Sequence, residues 1–140
     1  MRAGNTLNYF VIQQNEALSF KFTSPNIDAA GGFTYADSSG SGGNIRPIFI
    51  SITTAPCNFD VSKVPVGPNQ DSCFQTGLNG LGINWAAIAG SVPSSYCRLQ
   101  KNTTYYVNFR FQDARTVAEG GSPTTDSCIG GNCGGVIQFQ

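Results

Sequence analysis

Apolar and polar residues alternate along several short segments of the chain, the pattern of a β-strand with one buried face. The clearest case is 105–111, where every second residue is large and apolar. One face of this strand carries Tyr105, Val107, Phe109 and Phe111, and the other carries Tyr106, Asn108 and Arg110. We predict that the first set lies in the core and that the second set faces outward.

Other segments repeat this pattern between turn-forming residues. Strands are predicted at 6–12, 18–22, 33–36, 45–53 and 135–140. The segment 82–89, which carries Trp85, is predicted to be either a core plug or a short strand that packs beside a disulfide. A break at Ser24–Pro25, a Gly/Ser-rich loop at 37–44 and an irregular stretch at 54–81 separate these segments. Such a series of short strands predicts a single all-β domain over 1–140, an antiparallel β-sandwich of Greek-key or jelly-roll type with seven or eight strands.

Charge is scarce and balanced in this chain of 140 residues. Only 11% of residues are charged, and eight basic residues offset eight acidic ones. Nothing supplies the basic surface that phosphate binding needs, so no nucleic-acid partner is expected.

No apolar run approaches the roughly 20 residues that cross a bilayer, so no membrane insertion is expected either. An uncharged surface rich in amides and hydroxyls favours an extracellular or cell-surface protein, and we expect the chain to be a mature protein or a segment of a larger secreted one.

Five cysteines cannot all pair within one chain. We predict the pairs Cys73–Cys97 and Cys128–Cys133, with Cys57 unpaired. Cys57 is then either a small buried hydrophobic residue, which we favour, or an exposed thiol that joins two protomers. Structural zinc is disfavoured because the chain has no CxxC pair and no histidine. Disulfides indicate an oxidising compartment.

The residues offer little for catalysis. The chain has no histidine, which removes the commonest general base, and its eight carboxylates are scattered over different segments. We expect neither an enzyme nor a cofactor. Calcium is a weak possibility, because Asp60 and the stretch 69–71 provide oxygen ligands without the spacing of a dedicated calcium loop.

Two sets of residues resemble known domains. The spacing Leu99-x-x-x-Thr103-x-Tyr105-x-Val107 is similar to the tyrosine corner of fibronectin type III domains. That resemblance implies an immunoglobulin-like sandwich in which the Tyr105 hydroxyl bonds to backbone upstream.

A second resemblance is to a class of uncharacterised, secreted bacterial domains that contain cysteines. The matching positions are Ser51–Thr53, Pro56–Phe59, Cys73, Trp85, Cys97–Leu99, Tyr105–Tyr106, Cys128 and Cys133. Cys57 stands where that class has glycine, and Asn58 where it has aspartate. The resemblance implies an extracellular β-sandwich and carries no catalytic residues.

Two functions follow as hypotheses. The first is a non-catalytic binding or adhesion module for a carbohydrate or protein on a cell surface. Its candidate binding face comprises Tyr106, Asn108, Arg110, Tyr35 and Tyr96. On this hypothesis the three tyrosine rings stack on sugars and amide side chains bond sugar hydroxyls; the alternative is that the tyrosines only pack on the surface of the sheet. The second is a structural subunit that assembles with copies of itself into a filament or layer. Low charge, strand-like ends at 6–12 and 136–140 and an unpaired cysteine favour that alternative.

Overall fold

The described part of the chain forms two packed β-sheets. The computed structural model describes residues 7–12, 16–37, 48–59, 70–77, 81–111 and 133–139. Its strands are β1 (Leu7–Ile12), β2 (Ala17–Thr23), β3 (Ala29–Asp37), β4 (Ile48–Thr53), β5 (Phe74–Gly77), β6 (Leu81–Ala87), β7 (Tyr96–Arg98), β8 (Thr104–Arg110) and β9 (Cys133–Phe139). A 3-10 helix, Gln70–Cys73, leads into β5. The predicted β-sandwich is confirmed.

The first sheet has five strands in the order β1-β9-β3-β6-β7, and the second has four in the order β2-β8-β4-β5. Neighbouring strands are antiparallel except β7, which runs parallel to β6. The sequence patterns missed β5 and β7 because strands of four and three residues are too short to show a period. The described part of the chain therefore has nine strands, where seven or eight were predicted.

The core lies between the sheets and is rich in aromatic rings. The predicted inward face of β8 is buried, as is Trp85 of β6. Phe20 and Phe22 of β2 reach across to the other sheet, where their rings approach Phe139 and Phe33. Edge-to-face and tilted ring contacts of this kind add to the free energy of burial.

A tyrosine corner begins β8, as the motif predicts. The Tyr105 hydroxyl accepts a hydrogen bond from the backbone N–H of Gln100 at 3.0 Å. Ser24 secures the same turn, since its hydroxyl donates to the Gln100 carbonyl at 2.5 Å and accepts the Thr103 N–H at 3.0 Å. Asn102 takes a left-handed conformation with φ of 50°, which asparagine tolerates well.

The predicted disulfide between Cys73 and Cys97 is present. Cys73 precedes β5, the last strand of one sheet, and Cys97 lies in β7, the last strand of the other. The bond therefore joins the two sheets along one side of the sandwich, leaving β1 and β2 as the edges of the opposite side. The predicted Cys128–Cys133 pair lies outside the described residues, because Cys128 and the side chain of Cys133 are not described.

Candidate contact surface

A loop covers much of the face on which the predicted binding residues of β8 lie. This covering loop, residues 54–59, follows β4 and folds back over the outer side of the four-stranded sheet. Its backbone and Phe59 ring contact Asn108 and Arg110. As a result β4 is buried on both faces along its whole length.

Asn108 holds the covering loop to the sheet. Its side-chain oxygen accepts the backbone N–H of Cys57 at 2.8 Å and the hydroxyl of Ser19 at 2.7 Å. Its amide nitrogen donates to Thr53 Oγ1 at 2.8 Å and Ser51 Oγ at 3.1 Å. Those donors and acceptors fix the orientation of the amide and satisfy a polar side chain that is 0% exposed. The Asn108 side chain therefore has a structural role at the centre of this network.

Arg110 belongs to an aromatic cluster beside this network. Its guanidinium carbon lies 4.7 Å from the centre of the Phe59 ring, a cation–π contact. The Phe59 ring also packs on Phe49, which in turn meets Phe74. These contacts hold the Phe59 end of the covering loop against the sheet.

The predicted outward placement of two of the five candidate residues, Asn108 and Tyr35, is wrong, because both side chains are buried. Asn108 is buried because the covering loop, distant in sequence, closes over it. Tyr35 is 2% exposed because β3 directs its ring into the core, against Phe10 and Phe111. Neither side chain is exposed at the surface of the folded domain.

The other three predicted residues do not form one face. Tyr106 and Arg110 lie on the outer side of the four-stranded sheet, where Tyr106 stands beside the exposed Lys21. Tyr96 lies in β7 of the five-stranded sheet. All three are half-buried. The structure thus separates the tyrosines that the binding hypothesis grouped together.

The position of Cys57 differs from the favoured prediction that this residue is buried. Its side chain is exposed and forms no disulfide within the described residues, so the buried alternative is wrong. Its φ of 52° is the left-handed conformation that glycine adopts without strain. Cysteine thus occupies a backbone position that is suited to glycine.

The largest exposed apolar side chains among the described residues are Tyr9 (74%), Val11 (64%) and Ile27 (71%). Tyr9 and Val11 both lie on the outer face of β1. Tyr9 is opposite Val136 of β9, which is opposite the exposed Ala36 of β3. We call Tyr9, Val11, Val136 and Ala36 the β1 surface.

The sequence pattern identified the β1 strand but not which side of it is buried. Tyr9 and Val11 alternate with Phe10, so both faces of the strand are apolar. The residue of β9 that lies opposite Phe10 determines which face of β1 is buried. Phe10 is paired with Gly135, where an added Cβ would overlap the Tyr35 ring and lie 2.9 Å from the Phe10 ring. The Phe10 and Tyr35 rings together fill the space that this glycine leaves, and because side chains alternate along a strand, Tyr9 and Val11 then face outward. An uncharged strand with two apolar faces was the signal for an exposed apolar surface.

Charged and metal-ligating groups are sparse on the described surface. The Lys101 ammonium pairs with Asp28, and this hydrogen bond, together with the Ala89 N–H, holds the pKa of Asp28 below its ordinary value. Within the described ranges, no three His, Cys, Asp or Glu residues are grouped so as to hold a metal ion. The predicted calcium ligands Asp60 and Asn69, and the side chains of Gln70 and Asp71, lie outside those ranges. No helix in the described part is long and apolar enough to cross a membrane.

Comparison with known proteins returns neither a matching family model nor a matching curated protein.

Proposed function

We propose that this domain is a non-catalytic binding or adhesion module of a secreted or cell-surface bacterial protein, and that it contacts a protein ligand through the β1 surface. The observation that carries the proposal is the exposure of Tyr9 and Val11 side by side on an uncharged edge strand. Tyrosine at the centre of such a patch is a typical anchor of protein interfaces.

The exposure of Tyr9 and Val11 does not contribute to the stability of the isolated domain. Burying a large apolar side chain is worth about 1.5–3 kcal/mol, and neither Tyr9 nor Val11 gains it within the chain. Among the described side chains of β1, Phe10 is the one that packs in the core. A partner that covers the β1 surface would recover that free energy.

A protein ligand suits the surface better than a glycan. Sugar sites combine an aromatic platform with polar side chains that bond hydroxyls. Tyr35 and Asn108 are buried, and Tyr96 and Tyr106 belong to different sheets. The β1 surface instead offers apolar side chains and an open strand edge, which are the elements of strand addition.

The extracellular setting is supported by two features. The Cys73–Cys97 disulfide favours an oxidising compartment. The low charge of the chain is also consistent with secretion.

A structural subunit of a filament or layer is the second candidate. It is favoured by the pairing of β1 with β9, which places both strand-like ends of the chain together at one edge of a sheet. A strand from another copy could add beside them, and repetition of that contact would build a polymer.

An array of purified surface proteins, printed beside an array of glycans, tests the proposal. We expect wild-type domain to bind protein spots, Val11→Lys to lose that binding, and Ile27→Lys to keep it. Ile27 is the matched control because it is equally exposed but lies outside β1. Glycan binding that is lost in Tyr106→Ala, or turnover in a hydrolase screen, would contradict the proposal.

A further inference from the structure

Among the described strands, four form the outer edges of the two sheets, and one of these four lacks the features that normally prevent edge-to-edge pairing. β5 and β7 have four and three residues. β2 presents the exposed Lys21 near its centre. β1 has six residues, LNYFVI, with no charge and no proline. Natural proteins protect edges with short strands, lysine or proline, so β1 is the edge left open to another strand.

No described strand pairs with the outer side of β1, whose inner side is bonded to β9. The backbone of such an edge offers alternating N–H and C=O groups that an added strand can satisfy. The β1 surface lies on the same strand. A partner strand would therefore meet a hydrogen-bonding edge and an apolar face together.

We propose that the partner is a second copy of this chain, which pairs antiparallel with β1 about a two-fold axis at Phe10. The inference rests on the proposed function, since it names the occupant of the same β1 surface. In this register Tyr9 lies opposite the partner's Val11, and Val11 lies opposite the partner's Tyr9. Both pairs join an aromatic and a β-branched side chain, a favourable cross-strand combination. The two five-stranded sheets become one continuous sheet.

Charge and symmetry both favour a second copy. The chain has a formal net charge of zero, so two copies approach without net repulsion. β1 itself contains no charged residue that pairing would bury. A two-fold contact also uses the open edge of each copy once, which ends growth at a dimer.

Sedimentation velocity across about 1 to 500 µM protein measures the association. We expect wild-type protein to shift from one chain mass to twice that mass within this range. Val11→Lys should weaken dimerisation at least tenfold, because the substitution gives β1 the edge lysine that it lacks. Ile27→Lys should dimerise like wild type. A wild-type protein that stays monomeric, or polymerises beyond the dimer, overturns the inference.

Cysteine crosslinking tests the register in a Cys57→Ser background, which removes the exposed thiol. Tyr9→Cys and Val11→Cys proteins are oxidised separately and as an equimolar mixture. The predicted register places residue 9 opposite residue 11 of the partner, so the mixture should crosslink at least tenfold more than either variant alone. Equal or stronger crosslinking within one variant overturns the register. Because both positions are exposed, the variants should fold, and their melting temperatures check this.

The two proposals fail in different ways. Monomeric wild-type protein that still binds protein spots through Val11 leaves the binding function intact and removes the second copy as occupant. Dimeric protein that binds no spot in either array leaves the inference intact and removes the adhesion function.

Discussion

The side-chain oxygen of Asn108 and the backbone N–H of Cys57 form a 2.8 Å hydrogen bond that connects the centre of β8 to the covering loop. Asn108 is fully buried, whereas the Cys57 side chain is exposed. The bond therefore runs from the interior of the domain to its surface. It explains how a polar residue at an outward position of a strand became part of the core.

Asn108→Ala should lower the free energy of unfolding by about 3 kcal/mol, because it leaves the Cys57 N–H and the Ser19, Ser51 and Thr53 hydroxyls without their shared partner. Urea denaturation measures the change. Asn84→Ala is the control, since Asn84 is an exposed asparagine in β6 and its loss should change stability by less than about 0.5 kcal/mol. Equal losses for the two variants would contradict a central role for Asn108.

Cys57→Gly should stabilise the domain by about 1 kcal/mol, because glycine adopts the observed φ of 52° without the Cβ clash of other residues. The melting temperature should rise accordingly. Cys57→Ala separates backbone from thiol, because it removes the sulfur and keeps the Cβ. Its stability should stay at the wild-type value. A glycine variant no more stable than the alanine variant would rule out strain at this position.

Tyr105→Phe should cost about 1 kcal/mol, because the Gln100 N–H loses its acceptor at the tyrosine corner. Amide hydrogen exchange provides a local measurement, and the Gln100 amide should exchange faster in the variant. Tyr106→Phe is the adjacent control, since its side chain lies on the opposite side of β8. Unchanged protection at Gln100 would show that the corner bond contributes nothing in solution.

Features that depend on local sequence were predictable. The alternation in 105–111 identified the buried face of β8, and the Leu99–Val107 spacing identified the corner. The Cys73–Cys97 pair was predicted because it ties an irregular segment to the start of that strand. The strand and the corner are each encoded within one short segment. The disulfide was predictable because the chain has only five cysteines that can pair.

Burial that depends on contacts with residues distant in sequence was not predictable. Asn108 and Tyr35 resemble surface residues in sequence, and only the covering loop and the packing of β3 bury them. The burial of Phe10 rather than Tyr9 depends on Gly135, more than a hundred residues away. The exposure of the two candidate residues Asn108 and Tyr35 was consequently mispredicted, because burial of a side chain is decided by its neighbours in space.

Asp28 should give the domain a small dependence on pH. Lys101 lowers the pKa of Asp28 in the folded state, so the pair stabilises the fold above the ordinary value of 3.8. This contribution is lost as pH falls through the lower folded pKa. NMR titration should place the Asp28 midpoint below 3.8, and Lys101→Gln should raise it. An unchanged midpoint in Lys101→Gln would show that the ion pair does not persist in solution.

Removal of the Cys73–Cys97 disulfide should destabilise the domain and should act most strongly on one side of it. The bond closes 24 residues of chain, which corresponds to about 3 kcal/mol of unfolding free energy. We expect the double variant Cys73→Ala/Cys97→Ala to lose about this amount in urea denaturation, while Cys57→Ala remains unchanged. Amides of β5 and β7 should lose more protection from hydrogen exchange than amides of β1. The disulfide joins the edges formed by β5 and β7, whereas β1 lies on the opposite side of the sandwich. Uniform loss of protection would instead indicate that the bond acts only through the unfolded chain.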